Sequence, residues 1–163
     1  MKLVGNYHFK RALEIAKSGD HSIGVVGNKN LTMGLSDEYH KLFIMSNCPC
    51  GNFNDPIMSC SCDITELVNY RVNNLTYLNS KCEMVLEIVR PSWLEIVKEM
   101  DLKNKLDETC LSLLKIAVTK FGLYPSEIEK IIEVTNTITK MENKIKIECS
   151  HLAEALQYIS IRK

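Results

Sequence analysis

The sequence predicts an α/β lobe at residues 1–90 followed by an all-helical lobe at 91–163. Three observations predict this. SIGVVG at 22–27, KLFIMS at 41–46 and CEMVLEIV at 82–89 are short apolar runs of strand length, the pattern of strands buried in a parallel sheet. All three precede the Arg90-Pro91 dipeptide, which interrupts regular structure. Beyond it the apolar residues recur only at helical spacing.

Each element has its own local reason. YHFKRALEIAK at 7–17 places Phe9, Leu13 and Ala16 on one helical face, and Ser18-Gly19-Asp20 stops it. The first strand, 22–27, ends in a glycine. Residues 28–38 are polar and read as a turn region that includes the acidic pair Asp37-Glu38. The second strand candidate, 41–46, leads straight into a cysteine-rich stretch. Asp63 and Glu66 form an Asp-x-x-Glu cap for a helix reaching about Arg71. The third strand, 82–89, ends at Arg90-Pro91.

In the second lobe, Ser92-x-x-Glu95 is a capping box with Trp93, Ile96, Val97 and Met100 behind it. Cys110, Leu113, Leu114, Ala117, Val118 and Phe121 repeat at helical spacing up to Gly122, a C-terminal stop. Ser126-x-x-Glu129 reads as the cap of a helix burying Ile128, Ile131, Ile132 and Ile138. Ser150 opens a last helix with Leu152, Ala155, Leu156 and Ile159 on one side.

Composition narrows the function classes. Lys+Arg and Asp+Glu are 20 each, so the net charge is zero, and charge alone announces no nucleic-acid surface. The basic groups Lys10, Arg11 and Lys17, and Lys140, Lys144 and Lys146, read as solvated helix faces. No apolar run approaches the ~20 residues of a membrane helix. The start is charged every few residues and has no apolar signal core, so a cytoplasmic protein with reduced thiols is expected. No histidine stands in a nucleophile motif. His8 and His21 are placed to bond backbone carbonyls, and His151 reads as a surface residue.

Four of the seven cysteines fall in CPCGNFNDPIMSCSC, at Cys48, Cys50, Cys60 and Cys62. Four thiolates suit a closed, structural tetrahedral zinc site, with Gly51 and Pro56 permitting the turns. A loop of free thiols in a reducing compartment is the alternative reading. Cys82, Cys110 and Cys149 stand singly in apolar patterns and read as small core residues.

Three stretches together resemble one family: GNYHFKRALEIAKSGDHSIGVVG at 5–27, IMSNCPCGNFNDP at 44–56 and HLAEALQYISIRK at 151–163. They are similar to the magnesium-chelatase-like AAA+ ATPases of the ComM branch. That resemblance implies an AAA+ core reduced to a three-stranded parallel sheet of family order 5-1-4, followed by the helical lid. It also implies where ATP machinery would stand. After Gly27 comes Asn28-Lys29-Asn30-Leu31-Thr32, without the second glycine and the Lys-Ser/Thr pair of a phosphate loop. No strand ends in the Walker B acidic pair. Leu78-Asn79-Ser80-Lys81-Cys82-Glu83 replaces the arginine-finger stretch, Ser126 falls near the sensor arginine, and Asn47 or Ser46 stands at the sensor asparagine.

Phosphoryl transfer needs these charges placed together, so ATP hydrolysis is not expected. The resemblance therefore implies a non-catalytic interaction or adaptor protein in a DNA-processing setting. Its partner would be a full-length AAA+ relative or a second copy, with DNA a further partner by family analogy. The alternative is a magnesium-chelatase-like protein that retains nucleotide binding through Gly27, Lys29 and Thr32 with little hydrolysis.

Overall fold

The computed structural model describes residues 3–33, 35 and 38–160. Asp37 of the acidic pair and the side chain of Ile159 lie outside the described residues. The chain divides into two compact units, Met1–Arg90 and Pro91–Lys163.

The first unit is mixed α/β. Its elements are α1 (Tyr7–Gly19), β1 (Ile23–Gly27), α2 (Lys29–Thr32), β2 (Leu42–Ser46), α3 (Ile64–Lys81) and β3 (Met84–Ile88). The strands form one parallel sheet in the order β2-β1-β3. Ile23 aligns with Leu42 on one side and Met84 on the other. Every residue of β1 is buried, while β2 is half-buried throughout. The apolar run of β1 reflects that central position, because both of its faces are covered.

Gly27 has a packing reason. A Cβ built there would lie 2.5 Å from Cγ1 of Ile88, its neighbour on β3, so only glycine lets the strands run together at this end. The entry to α1 is fixed from a distance. Asn6, left-handed at φ 51°, donates from Nδ2 to the Val89 carbonyl (2.9 Å) and accepts at Oδ1 from the Val89 N–H (3.0 Å). His8 bonds a backbone carbonyl, that of Glu87 at 3.1 Å, whereas His21 instead faces the Glu83 carboxylate at 3.6 Å.

Two elements of this unit differ from expectation. The polar stretch after β1 contains a short helix, α2, capped by the Asn28 side chain, which accepts from the Asn30 N–H at 2.8 Å. Helix α3 runs on to Lys81 instead of ending near Arg71. Asp63 caps it as expected, accepting from the N–H groups of Thr65 and Glu66. Its length escapes a periodicity argument because it is mostly exposed, with Leu78 its one buried residue.

The second unit is helical: α4 (Trp93–Glu99), α5 (Leu102–Lys105), α6 (Glu108–Phe121), α7 (Pro125–Met141) and α8 (Cys149–Ser160). Its core contains Ile96, Leu102, Leu114, Ile128, Ile131 and Leu152. The Ser92–Glu95 capping box forms, and Gly122 ends α6 at φ 60°. The start of α7 is a correction. Tyr124 precedes the helix, Pro125 occupies its first position, and the Glu127 carboxylate accepts from the Tyr124 N–H at 2.9 Å, so Ser126 is not the cap. Helix α8 begins at Cys149, one residue before Ser150.

His151 is also a correction: it is 0% exposed rather than a surface residue. Its Nδ1 accepts from the Glu148 N–H (3.0 Å) and lies 3.0 Å from the Thr139 hydroxyl. That leaves the ring proton on Nε2, which donates to the Glu142 carboxylate at 3.0 Å. The ring thereby staples the turn after α7 to α8. His151→Ala is expected to orphan the Glu148 N–H and open a cavity, destabilising this unit by about 2–4 kcal/mol. Urea unfolding followed by circular dichroism measures it, and an unchanged midpoint refutes the staple.

Candidate metal centre

The strands of a parallel sheet point their carboxyl ends toward one edge, where α/β proteins bind ligands. Here the cysteine loop occupies that edge. Ser46 closes β2 and its hydroxyl donates to the Cys48 carbonyl at 2.8 Å. Asn28, the first residue after β1, donates to the Gly51 carbonyl and to Asn52 Oδ1. Asn47 Nδ2 donates to the Phe53 carbonyl, and Arg71 of α3 stacks over the Phe53 ring at 4.4 Å.

A buried ion pair completes the anchorage. Arg90 Nε contacts Asp55 Oδ1 at 3.0 Å and Oδ2 at 3.1 Å, with side chains 2% and 1% exposed. Asp55 Oδ1 also accepts from the N–H groups of Ile57 (2.9 Å) and Met58 (3.0 Å), which forms the turn around Pro56. Burial pushes the Asp55 carboxyl up, but Arg90 and these two N–H groups outweigh it and hold the carboxyl below its ordinary value.

With the loop folded back in this way, all four thiols converge. The Sγ atoms of Cys48, Cys50, Cys60 and Cys62 lie within 4.8 Å of one another. Cys48–Cys50 is 3.4 Å, Cys50–Cys60 is 3.5 Å and Cys48–Cys60 is 3.9 Å. Zn–S bonds of about 2.3 Å in a tetrahedron put sulfurs about 3.8 Å apart, so the spacing fits one shared ion. Backbone N–H groups surround the sulfurs: Gly51 (3.1 Å) and Phe53 (3.2 Å) point at Cys48, and Cys50 (3.4 Å) at Cys62. Gly51 reaches this position at φ 85°, in the left-handed region that glycine enters freely.

The electrostatics of the metal-free cluster are uneven. Burial raises the Cys48 thiol, with the Phe53 N–H opposing. At Cys50 burial also opposes ionisation, but the N–H groups of Asn52 and Ser61 and the neighbouring thiols bring it down to about 5. At Cys62 the Cys50 N–H bond favours the thiolate, yet burial and three neighbouring sulfurs push it up to about 12. Cys48 and Cys62 are thus disfavoured as thiolates beside the more acidic Cys50, and a divalent cation would offset that penalty. The cluster can hold a metal ion such as zinc.

The other candidate residues lie just beneath. Gly27 is packed against Ile88, Lys29 is exposed, and the buried Thr32 hydroxyl donates to the Lys29 carbonyl at 3.1 Å. A cavity lined by Asn28, Asn47, Asp55 and Glu87 at this edge measures about 10 Å³, the room for about one water. Its wall carries the buried Asn47 Oδ1, which has no protein donor. The long-range partners Asn28, Asp55 and Arg90 have no local sequence signature. Only the Asp55-Pro56 turn could have suggested one of them.

The basic groups behave as surface charges. Arg11 pairs with Glu14 at 2.9 Å, Lys17 with Glu38 at 3.9 Å and Lys144 with Glu148 at 3.0 Å. Among the described residues, no helix is long and apolar enough to cross a membrane. No family model, no curated protein and no solved structure matches this chain.

Proposed function

We propose that this is a non-catalytic interaction protein whose α/β unit is clipped by a structural zinc ion on Cys48, Cys50, Cys60 and Cys62. The observation that carries the reading is the position of the cysteine loop. It seals the carboxyl edge of the sheet, where a nucleotide would have to enter, and leaves a cavity of about 10 Å³. Small-molecule sites are roughly 300–1,000 Å³. A four-sulfur shell leaves no coordination position for substrate, which suits a structural ion rather than a catalytic one.

An interaction role also accounts for α3. Ile64, Val68 and Val72 recur every fourth residue on its exposed side, with Ile64 76% exposed. An apolar stripe of this kind is a feature of docking helices. The resemblance to the magnesium-chelatase-like AAA+ ATPases of the ComM branch makes a full-length relative, or a second copy, the partner to test first. It makes DNA processing the setting.

Metal content and nucleotide response test the proposal together. Protein purified without chelators is expected to carry about one zinc per chain by mass spectrometry, reduced in Cys62→Ser. Millimolar ATP is expected to leave Tm unchanged, since a ligand that binds only the folded state must raise it. No metal on the wild-type protein would remove the clip. A rise in Tm with ATP that Lys29→Ala abolishes would replace the interaction reading with residual nucleotide binding.

A further inference from the structure

The second unit contains another close pair of sulfurs. Cys110 lies in the first turn of α6, capped by Asp107, whose Oδ1 accepts from the Cys110 N–H at 2.7 Å. Cys149 is the first residue of α8. Helices α6 and α8 pack together, and the two Sγ atoms are 2.8 Å apart across 39 residues of chain.

That separation differs in kind from those in the metal centre. Sulfurs sharing a tetrahedral zinc stand about 3.8 Å apart, and the distances among Cys48, Cys50 and Cys60 run from 3.4 to 3.9 Å. At 2.8 Å, Cys110 and Cys149 are too close to be two ligands of one such ion. The carboxylate of Asp107, within 4.8 Å of both sulfurs, would give that ion only a third ligand.

We propose that Cys110 and Cys149 are a redox pair, which closes to a disulfide by exchange with a low-molecular-weight disulfide and reopens with thiols. The roles follow from burial. Cys110 is fully buried and Cys149 half-buried, so the incoming disulfide meets Cys149. Burial first, then the Cys149 thiol and the Asp107 carboxylate, raise the Cys110 thiol and keep it protonated.

Cys149 gives its proton to water, and its thiolate attacks one sulfur of RSSR, forms protein–S–S–R and expels RS⁻, which regains a proton from water and leaves as RSH. Cys110 then gives its proton to the departing thiolate and attacks the Cys149 sulfur, expelling the second RS⁻, which leaves as RSH. In sum, two protein thiols and RSSR become one protein disulfide and two RSH. Two electrons pass from the protein to the small disulfide. The closed bond ties α6 to α8 and fences α7 into the loop between them, restricting the unfolded chain.

The test uses the full metal-loaded chain in glutathione buffers of increasing oxidation, quenched with iodoacetamide and digested without reduction. A peptide joining Cys110 to Cys149 is expected by mass spectrometry. Oxidised wild-type protein is expected to melt more than about 5 °C above the reduced form. Cys149→Ser is expected to lose both the linked peptide and the oxidised–reduced difference. Should Cys110→Ser fail to fold, wild-type mapping and Cys149→Ser still decide the matter. Alkylation of both thiols in every buffer overturns the pairing. So do a stable glutathione adduct on Cys149 without the link, linkage of either residue to the 48–62 loop, and loss of a second metal equivalent in Cys149→Ser.

Discussion

Asp55→Asn is expected to lower the stability of the first unit by about 3–5 kcal/mol, the usual cost of removing one partner of a buried ion pair. The substitution keeps the shape and leaves an oxygen able to accept from Ile57 and Met58. What it removes is the charge facing Arg90, whose side chain is 2% exposed. The guanidinium then stays buried at the end of β3 without the Asp55 charge. A shift of this size moves Tm by more than about 10 °C in a unit of this length. The double variant Asp55→Asn, Arg90→Met is expected to recover part of the loss, because the buried charge that Asp55 balanced is removed with it. Melting of the single and double variants checks this, and equal Tm values for Asp55→Asn and wild type would show the pair to be energetically idle.

The same pair gives a pH signature. The Asp55 carboxyl is held low in the folded protein by Arg90 and two N–H groups, against burial. A depressed carboxylate contributes stability that is fully present above its ordinary value of about 3.9. The contribution is lost as pH falls through the lower folded value. Wild-type stability is therefore expected to drop more steeply than that of Asp55→Asn below about pH 4.

Chelation is the second large effect. If zinc clips the loop, its removal is expected to lower the melting transition of the first unit and leave that of the second in place. Structural zinc in isolated fingers contributes about 10–16 kcal/mol. The loss here is expected to be smaller, since Asn28, Asn47 and the Asp55–Arg90 pair also hold the loop. Acid weakens the effect: metal binding displaces protons from thiols such as Cys48 and Cys62, so affinity, and the stability that chelation removes, fall as pH falls. Calorimetry with and without EDTA at pH 7.5 and pH 6 measures both trends. A first-unit transition that ignores EDTA at both pH values would rule out a stabilising metal.

What the sequence made legible was whatever repeats locally. The three strands stood out because Ile23–Gly27, Leu42–Ser46 and Met84–Ile88 are short apolar runs with clear stops. The four loop cysteines stood out by spacing. Long-range partners did not. Arg90 looked like a strand terminator, yet its guanidinium is paired with a carboxylate 35 residues earlier. His151 reads as exposed because it lies in the first turn of the last helix, and only the returning turn after α7 shows what encloses the ring. At the start of α7 the stronger local signal was Pro125, which fits the first helical position better than Ser126 fits the cap. Helix α3 outran its apparent end because exposure, not an apolar face, characterises its second half.

The placement of β1 also sets an order of assembly. It is the first of the three sheet strands to be synthesised, and both of its neighbours, β2 and β3, lie downstream. Its IGVVG run has one partner once Ser46 has emerged, and is enclosed on both sides only after Ile88. Parallel pairings over such separations are slow to form. During translation the middle strand of the sheet is thus made before both of its neighbours and is enclosed only when the last of them is complete. The nascent chain is most exposed to misassociation over the interval in which α3 is being made.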